Sequence, residues 1–249
     1  AARGSINGWV AEKTEQLIPE LLPAASVDSL TRFVLTNTVY FNASWQKKFD
    51  AYETRDADFT KLDGSKQTVS MMSGALSIPY AEGSGYRAIA LPYASDELRF
   101  IAILPSDGQF ATLEKALSGS WFDALEASFS AKRVALSLPK LDYRAKASLK
   151  PAMRGLGMNA AFLSGAMGFA GIDADPDLYI SDIIHQAVIK VTEEGTIAAA
   201  ATAVVGATAT SIAQNDEIIS FDRPFLIAIV DAPTGALLFV GRVLDPAAK

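Results

Sequence analysis

Residues 195–215, GTIAAAATAVVGATATSIAQN, constrain the fold more than any other segment of the chain. They carry no charge and follow directly on the acidic pair Glu193-Glu194. Their length would suit a membrane span, but Ala, Thr, Gly, Ser, Gln and Asn supply too little transfer free energy to hold one in lipid. A flexible linker would be richer in Gly, Ser and Pro and would seldom contain Val204-Val205. An Ala-rich helix is weakened by the Thr and Val content and by Gly206. The reading that fits is a run of small, β-compatible side chains able to enter a sheet without a steric or desolvation penalty. Sheet proteins ordinarily guard such a run with charges. The absence of guards suggests that strand addition is its purpose.

The rest of the chain offers sheets for it to join. Residues 33–41, FVLTNTVYF, are a β-branched and aromatic run that predicts a buried strand. Asp63-Gly64 marks a hairpin turn. Short strands are predicted over 68–72, 87–92, 99–104, 133–139 and 183–191. Residues 225–230 and 237–243 read as a hairpin through Pro233-Thr234-Gly235. Helices are expected over 5–18, with Ile6, Trp9, Val10 and Leu17 near one face, over 111–125, and over 149–155. Strands dominate and no βαβ regularity is visible, which predicts an α+β fold with large, mostly antiparallel sheets in one domain. Half of the residues are hydrophobic, enough for a sizeable core.

Composition narrows the chemistry. There are no cysteines and a single histidine, His185. Disulfides, thiolate nucleophiles, iron–sulfur clusters and zinc fingers are therefore excluded, and any catalytic triad would have to pass through His185. No metal or cofactor is expected. A formal net charge of -6 makes the chain a poor partner for nucleic acid.

Several segments now fall into a recognisable order: LTNTVYFNASW (35–45) followed by Phe49 and Thr54, VSMM (69–72), ALSLPKL (135–141), LGM…AF (156–162), TEEGTIAAAATAV (192–204) and FDRPFLIAIVDAPTGALLFVGRVLDP (221–246). In these the chain resembles the serpins, serine protease inhibitors that act by loop insertion. The resemblance covers essentially the whole sequence. It implies the serpin fold, with large mixed sheets, surrounding helices and an exposed reactive-centre loop at about 193–220. Residues 5–22 resemble helix F of that fold, which implies that helices A to E and the first two strands of sheet A lie outside this chain. Residues 1–249 alone are accordingly expected not to inhibit.

The resemblance also implies roles. A protease attacks the loop as substrate, forms an acyl-enzyme, and is carried along when the cleaved loop inserts as a new strand. Glu193, Glu194, Gly195, Thr196, Ala198, Ala199, Ala200 and Ala201 would form the hinge. Ile197 stands where the family usually carries an acidic residue, and it should face the opposite side. The scissile bond is placed at Ala209-Thr210, with neighbours Thr208 and Ser211 as alternatives. No Lys or Arg lies between 195 and 215, so the target implied is an elastase- or subtilisin-like serine protease. His185 matches the family's shutter histidine, Asn37 its asparagine partner and Trp45 the breach tryptophan. Ordinary core packing is the competing reading of Trp45, and a structural core role that of His185. Asn42-Ala43-Ser44 is a glycosylation sequon.

An open strand edge near Leu35–Phe41 beside an insertable loop implies loop–sheet self-association. No signal peptide is visible. The resemblance implies secretion, a cytoplasmic site being the alternative, and the Cys-free, Ala-rich composition suits a prokaryotic member. A non-inhibitory serpin acting as chaperone, carrier or storage protein, or an inactive fragment, are the alternative functional readings.

Overall fold

The computed structural model describes residues 2–28, 31, 33–165, 169, 171–172, 178–196 and 217–247. The chain opens with helix α1 (Ala2–Lys13) and strands β1 (Phe33–Tyr40), β2 (Ala43–Ser44), β3 (Arg55–Thr60), β4 (Lys66–Gly83), β5 (Tyr86–Pro92) and β6 (Leu98–Pro105). Helices α2 (Phe110–Ala116) and α3 (Gly119–Ser128), strands β7 (Ser130–Pro139) and β8 (Leu141–Ser148), and helix α4 (Lys150–Gly155) come next. Strands β9 (Ile180–Thr192), β10 (Gly195–Thr196), β11 (Glu217–Ser220), β12 (Phe225–Asp231) and β13 (Ala236–Val243) complete the α+β architecture. The elements group into two compact units, Ala1–Phe41 with Tyr143–Ile189 and Asn42–Asp142 with Lys190–Lys249.

The second unit is built on an eight-stranded sheet in the order β11-β7-β4-β5-β6-β12-β13, with β3 also paired to β4. Strands β5, β6 and β12 are apolar nearly throughout and buried on both faces, as central strands require. One face puts Ala88, Ala90, Ile101, Ile103, Leu226, Ala228 and Val230 against Phe110 and Leu113 of α2 and Phe122 and Leu125 of α3. The alanines let the helices sit close to the sheet. The helix expected over 111–125 is two helices. Leu117 turns to the extended region, and the Ser118 hydroxyl caps the second helix by accepting from Trp121 N–H at 3.2 Å. Strand β4 is longer than the predicted 68–72, because β3, β7 and β5 pair with successive stretches of it.

In the first unit α1 ends at Lys13, short of the expected 5–18. Glu15 and Gln16 take left-handed backbone (φ 49 and 63) and break the helix. The returning segment buries Ile18, Leu21 and Leu22. It is held by Asn7, whose amide donates to Leu22 O at 2.9 Å and accepts Leu22 N–H at 2.8 Å. Asn7, Val10 and Ala11 form the buried face of α1, and Trp9, expected there, is 56% exposed.

Strand β1 pairs in parallel with β9, which sets Asn37 opposite His185. Expected to be buried, β1 is only half-buried, since among the described residues it has a strand partner on one edge alone. Below the pair, Phe162, Ile180 and Ile183 cluster with Phe33, Leu35, Leu149 and Met153.

Candidate functional site

The end of β9 reverses through Glu193 and Glu194 into β10, a strand of only two residues. Strand β10 pairs antiparallel on one side with β9, Gly195 opposite Thr192 and Thr196 opposite Val191. On the other side it pairs antiparallel with β2, Gly195 opposite Ser44 and Thr196 opposite Ala43. The first two residues of the uncharged segment therefore already lie as a strand between two others.

Each residue of this reversal is anchored. The carbonyl of Glu193 accepts Phe49 N–H at 3.0 Å. Glu193 is buried, and its carboxylate accepts the Thr54 hydroxyl at 2.8 Å and the Lys140 ammonium at 2.8 and 3.1 Å. Burial by itself would raise the Glu193 carboxyl. Hydrogen bonds from Lys140, from its own backbone amide and from Thr54 outweigh burial and hold it below the usual range. Glu194 accepts Trp45 N–H at 3.0 Å through its carbonyl and forms an ion pair with Lys48 through its carboxylate.

Gly195 sits at φ +152, and a Cβ there would lie 2.2 Å from Ala43 O. Only glycine lets the chain pass this close to β2. Thr196 is fully buried, and its hydroxyl oxygen lies 2.6 Å from that of Tyr93. Tyr93 is also fully buried, and Trp45 stacks on its ring at 4.7 Å with an interplanar angle of 17°. Phe100 meets Trp45 edge-on at 5.6 Å, and the indole N–H of Trp45 donates to Thr192 O at 2.8 Å. Burial pushes the Tyr93 phenol well above its ordinary range, so it stays protonated.

Among the residues singled out from the sequence, Glu193, Glu194, Gly195, Thr196 and Trp45 meet at this reversal. Asn37 and His185 meet at a separate place, in the first unit, where Nδ1 of His185 lies 2.8 Å from Oδ1 of Asn37. Asn42 is exposed. Ala198, Ala199, Ala200, Ala201, Thr208, Ala209, Thr210 and Ser211 lie outside the described residues. Sequence reasoning missed Tyr93, and it gave Lys140 and Thr54 no role although both stand in quoted motifs. Among the described residues no group of three or more His, Cys, Asp or Glu side chains is placed to hold a metal ion, and no helix is long and apolar enough to cross a membrane. These contacts hold the backbone of the reversal in place.

Comparison with known proteins agrees with this architecture. The family model described as Serpin (serine protease inhibitor) matches residues 1–246. The chain belongs to the serpin family. It is 36% identical to a serpin-like protein of Methanosarcina acetivorans, over 99% of this chain and 58% of that one. It is 38% identical to human Serpin B8, over 98% of this chain and 66% of that protein. The thermophilic serpin tengpin in its native state superposes with a TM-score of 0.88 at 32% identity, over 98% of this chain and 63% of the other. The chain thus spans about three-fifths of the length of the relatives it matches.

Proposed function

We propose that the protein inhibits serine proteases as a suicide substrate whose cleaved loop completes a sheet. The observation that carries this reading is β10: the hinge is anchored at Glu193 and Glu194 and has already entered the sheet at Gly195 and Thr196. The uncharged residues that follow can extend that strand without burying a charge.

The chemistry belongs to the protease. Its serine oxygen attacks the carbonyl carbon of Ala209, the bond to the Thr210 nitrogen breaks, and the new amine leaves with a proton. The Ala209 acyl group stays on the serine as an ester. Residues 196–209 then lengthen β10 between β9 and the run β1–β2. The sheet gains two antiparallel ladders where β1 and β9 now share one parallel ladder, and the tethered protease is displaced before water cleaves the ester. A small residue at the cleaved bond and the absence of Lys and Arg from 195 to 215 favour an elastase- or subtilisin-like target. Leukocyte elastase inhibitors of Xenopus and Bos taurus are among the relatives, at 34 to 36% identity.

Because relatives are longer than this chain, the test is made on the full-length gene product. It is incubated with elastase-like, subtilisin-like and trypsin-like enzymes and run on denaturing gels. A boiling-resistant complex with the first two classes supports the proposal, and a complex with trypsin alone overturns the target assignment. A non-inhibitory reading gains some weight from human thyroxine-binding globulin, which shares the fold at a TM-score of 0.89 and 27% identity. Thermal stability before and after loop cleavage separates the two readings, since only an inserting loop raises it.

A further inference from the structure

We propose that Tyr93 is the positioning residue that latches the hinge: its hydroxyl holds Thr196 in the sheet of the uncleaved protein and so sets how fast insertion starts. The inference rests on the inhibitory reading above and adds a residue and a side-chain requirement to it.

Tyr93 and Thr196 lie 103 positions apart in sequence, and both are fully buried. Their hydroxyl oxygens, 2.6 Å apart, form a short bond in a site closed to water. Tyr93 is itself fixed. Its N–H donates to Leu98 O at 3.0 Å, the next N–H donates to Ser44 O at 2.9 Å, and Trp45 stacks on its ring. The phenol is therefore presented at one height beneath β10, and it accepts only a side chain that brings a hydroxyl to that point. Threonine does so, while alanine or valine there would leave the buried phenol without this partner. The residue after Gly195 is thus selected for its hydroxyl as well as for its size.

The kinetic consequence comes from ordering. The first residues of an added strand lose backbone freedom before neighbouring ladder bonds repay them. A hinge already latched has passed that step before the protease arrives, as in any preorganised association. Without the latch the hinge leaves the sheet part of the time, insertion starts later, and deacylation releases more cleaved inhibitor.

The test uses the full-length gene product, the single variants Tyr93→Phe and Thr196→Val, and the double variant. Two readouts are taken: deuterium exchange of the peptide spanning 193–197 in the free protein, and the ratio of cleaved product to boiling-resistant complex with an elastase. Tyr93→Phe is expected to speed exchange of that peptide and to raise the ratio about fivefold, the size of one neutral hydrogen bond. Thr196→Val, which removes the same bond from the other side, is expected to move both readouts in the same direction. The double variant is expected to be no worse than the worse of the two single variants, because both remove one bond, whereas independent structural effects would add.

Unchanged exchange in Tyr93→Phe overturns the latch, and so do additive losses in the double variant. Faster exchange with an unchanged ratio overturns the role in inhibition. If the unmodified protein gives no complex with any protease, the inhibitory reading fails, and exchange alone judges whether Tyr93 holds Thr196.

Discussion

Lys140 places its ammonium nitrogen 2.8 and 3.1 Å from the two carboxylate oxygens of Glu193, tying the end of β7 to the reversal between β9 and β10. The Glu193 side chain is 12% exposed and that of Lys140 40%, so the pair is screened on the lysine side only. Lys140→Ala is expected to destabilise the protein by about 1–2 kcal/mol, less than a fully buried pair, because water can still reach part of the site. The thermal midpoint should fall by about 2–8 °C. An unchanged midpoint would mean that the other bonds to Glu193 hold the reversal without Lys140.

The same pair predicts a pH dependence. The folded-state value of Glu193 lies below the ordinary 4.5, so folding favours the charged form. The stability it contributes is present above the ordinary glutamate value and is lost as pH falls through the lower folded value. Glu193→Gln removes this contribution. Its denaturation midpoint should therefore fall less than that of the unmodified protein between about pH 5 and pH 3. Parallel pH curves for the two proteins would show that the carboxylate gains nothing on folding.

Gly195→Ala should expel β10 from its place beside β2. The new Cβ would lie 2.2 Å from Ala43 O, a backbone atom that cannot rotate away, in a conformation that L side chains rarely adopt. Keeping β10 in place would cost at least about 2 kcal/mol, so the strand should leave. Deuterium exchange at 193–196 reads this directly, and protection equal to that of the unmodified protein would refute it.

The parts of the fold legible in the sequence were those in which one local pattern suffices. Phe225–Asp231 is a buried apolar run between turn residues, and Gly235 takes the left-handed turn between β12 and β13. The candidate residues at the reversal and those in the first unit were legible for different reasons. Gly195 and Thr196 stand out through the charge-free run behind them, and Asn37 and His185 through the family's motifs. Tyr93 gave no such signal, because its partner is 103 positions away and its run LPYAS has neither periodicity nor charge. Strand β8 was missed for a related reason. LDYRAKAS carries charges and is mostly exposed, so its strand character comes from pairing with β9 and not from burial. Strand β4 was seen only over 68–72, because its extension through Gly74 and Pro79 comes from pairing with β7.

Asn37→Ala tests the histidine contact in the first unit. The bond from Asn37 to His185 is 2.8 Å long and exposed, and it joins the two strands that the proposed insertion must part. Its loss should destabilise the uncleaved form by about 1 kcal/mol. The measurement is a thermal melt together with the rate of spontaneous conversion to a more heat-stable form on warming. The rate should rise as the midpoint falls. A lower midpoint with no gain in conversion would mean that the bond supports folding without restraining the sheet.

Thr196→Arg is the sharpest test of where insertion begins. Thr196 is fully buried, and its hydroxyl is bonded to that of Tyr93, a neutral group. An arginine there would have to bury an unpaired charge, which costs several kcal/mol. The chain avoids that cost by keeping the residue outside the sheet, so insertion cannot start from its usual first step. Cleavage depends on the loop further along, so the variant should still be cut at the same bond and at a similar rate. The acyl-enzyme then has time to meet water, and the protease should emerge active. On denaturing gels the expected result is cleaved inhibitor with little or no boiling-resistant complex. Thr196→Ser, which keeps the hydroxyl, should retain nearly all of the complex. If Thr196→Arg traps protease as well as the unmodified protein does, the loop does not enter the sheet through Thr196, and the proposed mechanism has to be withdrawn.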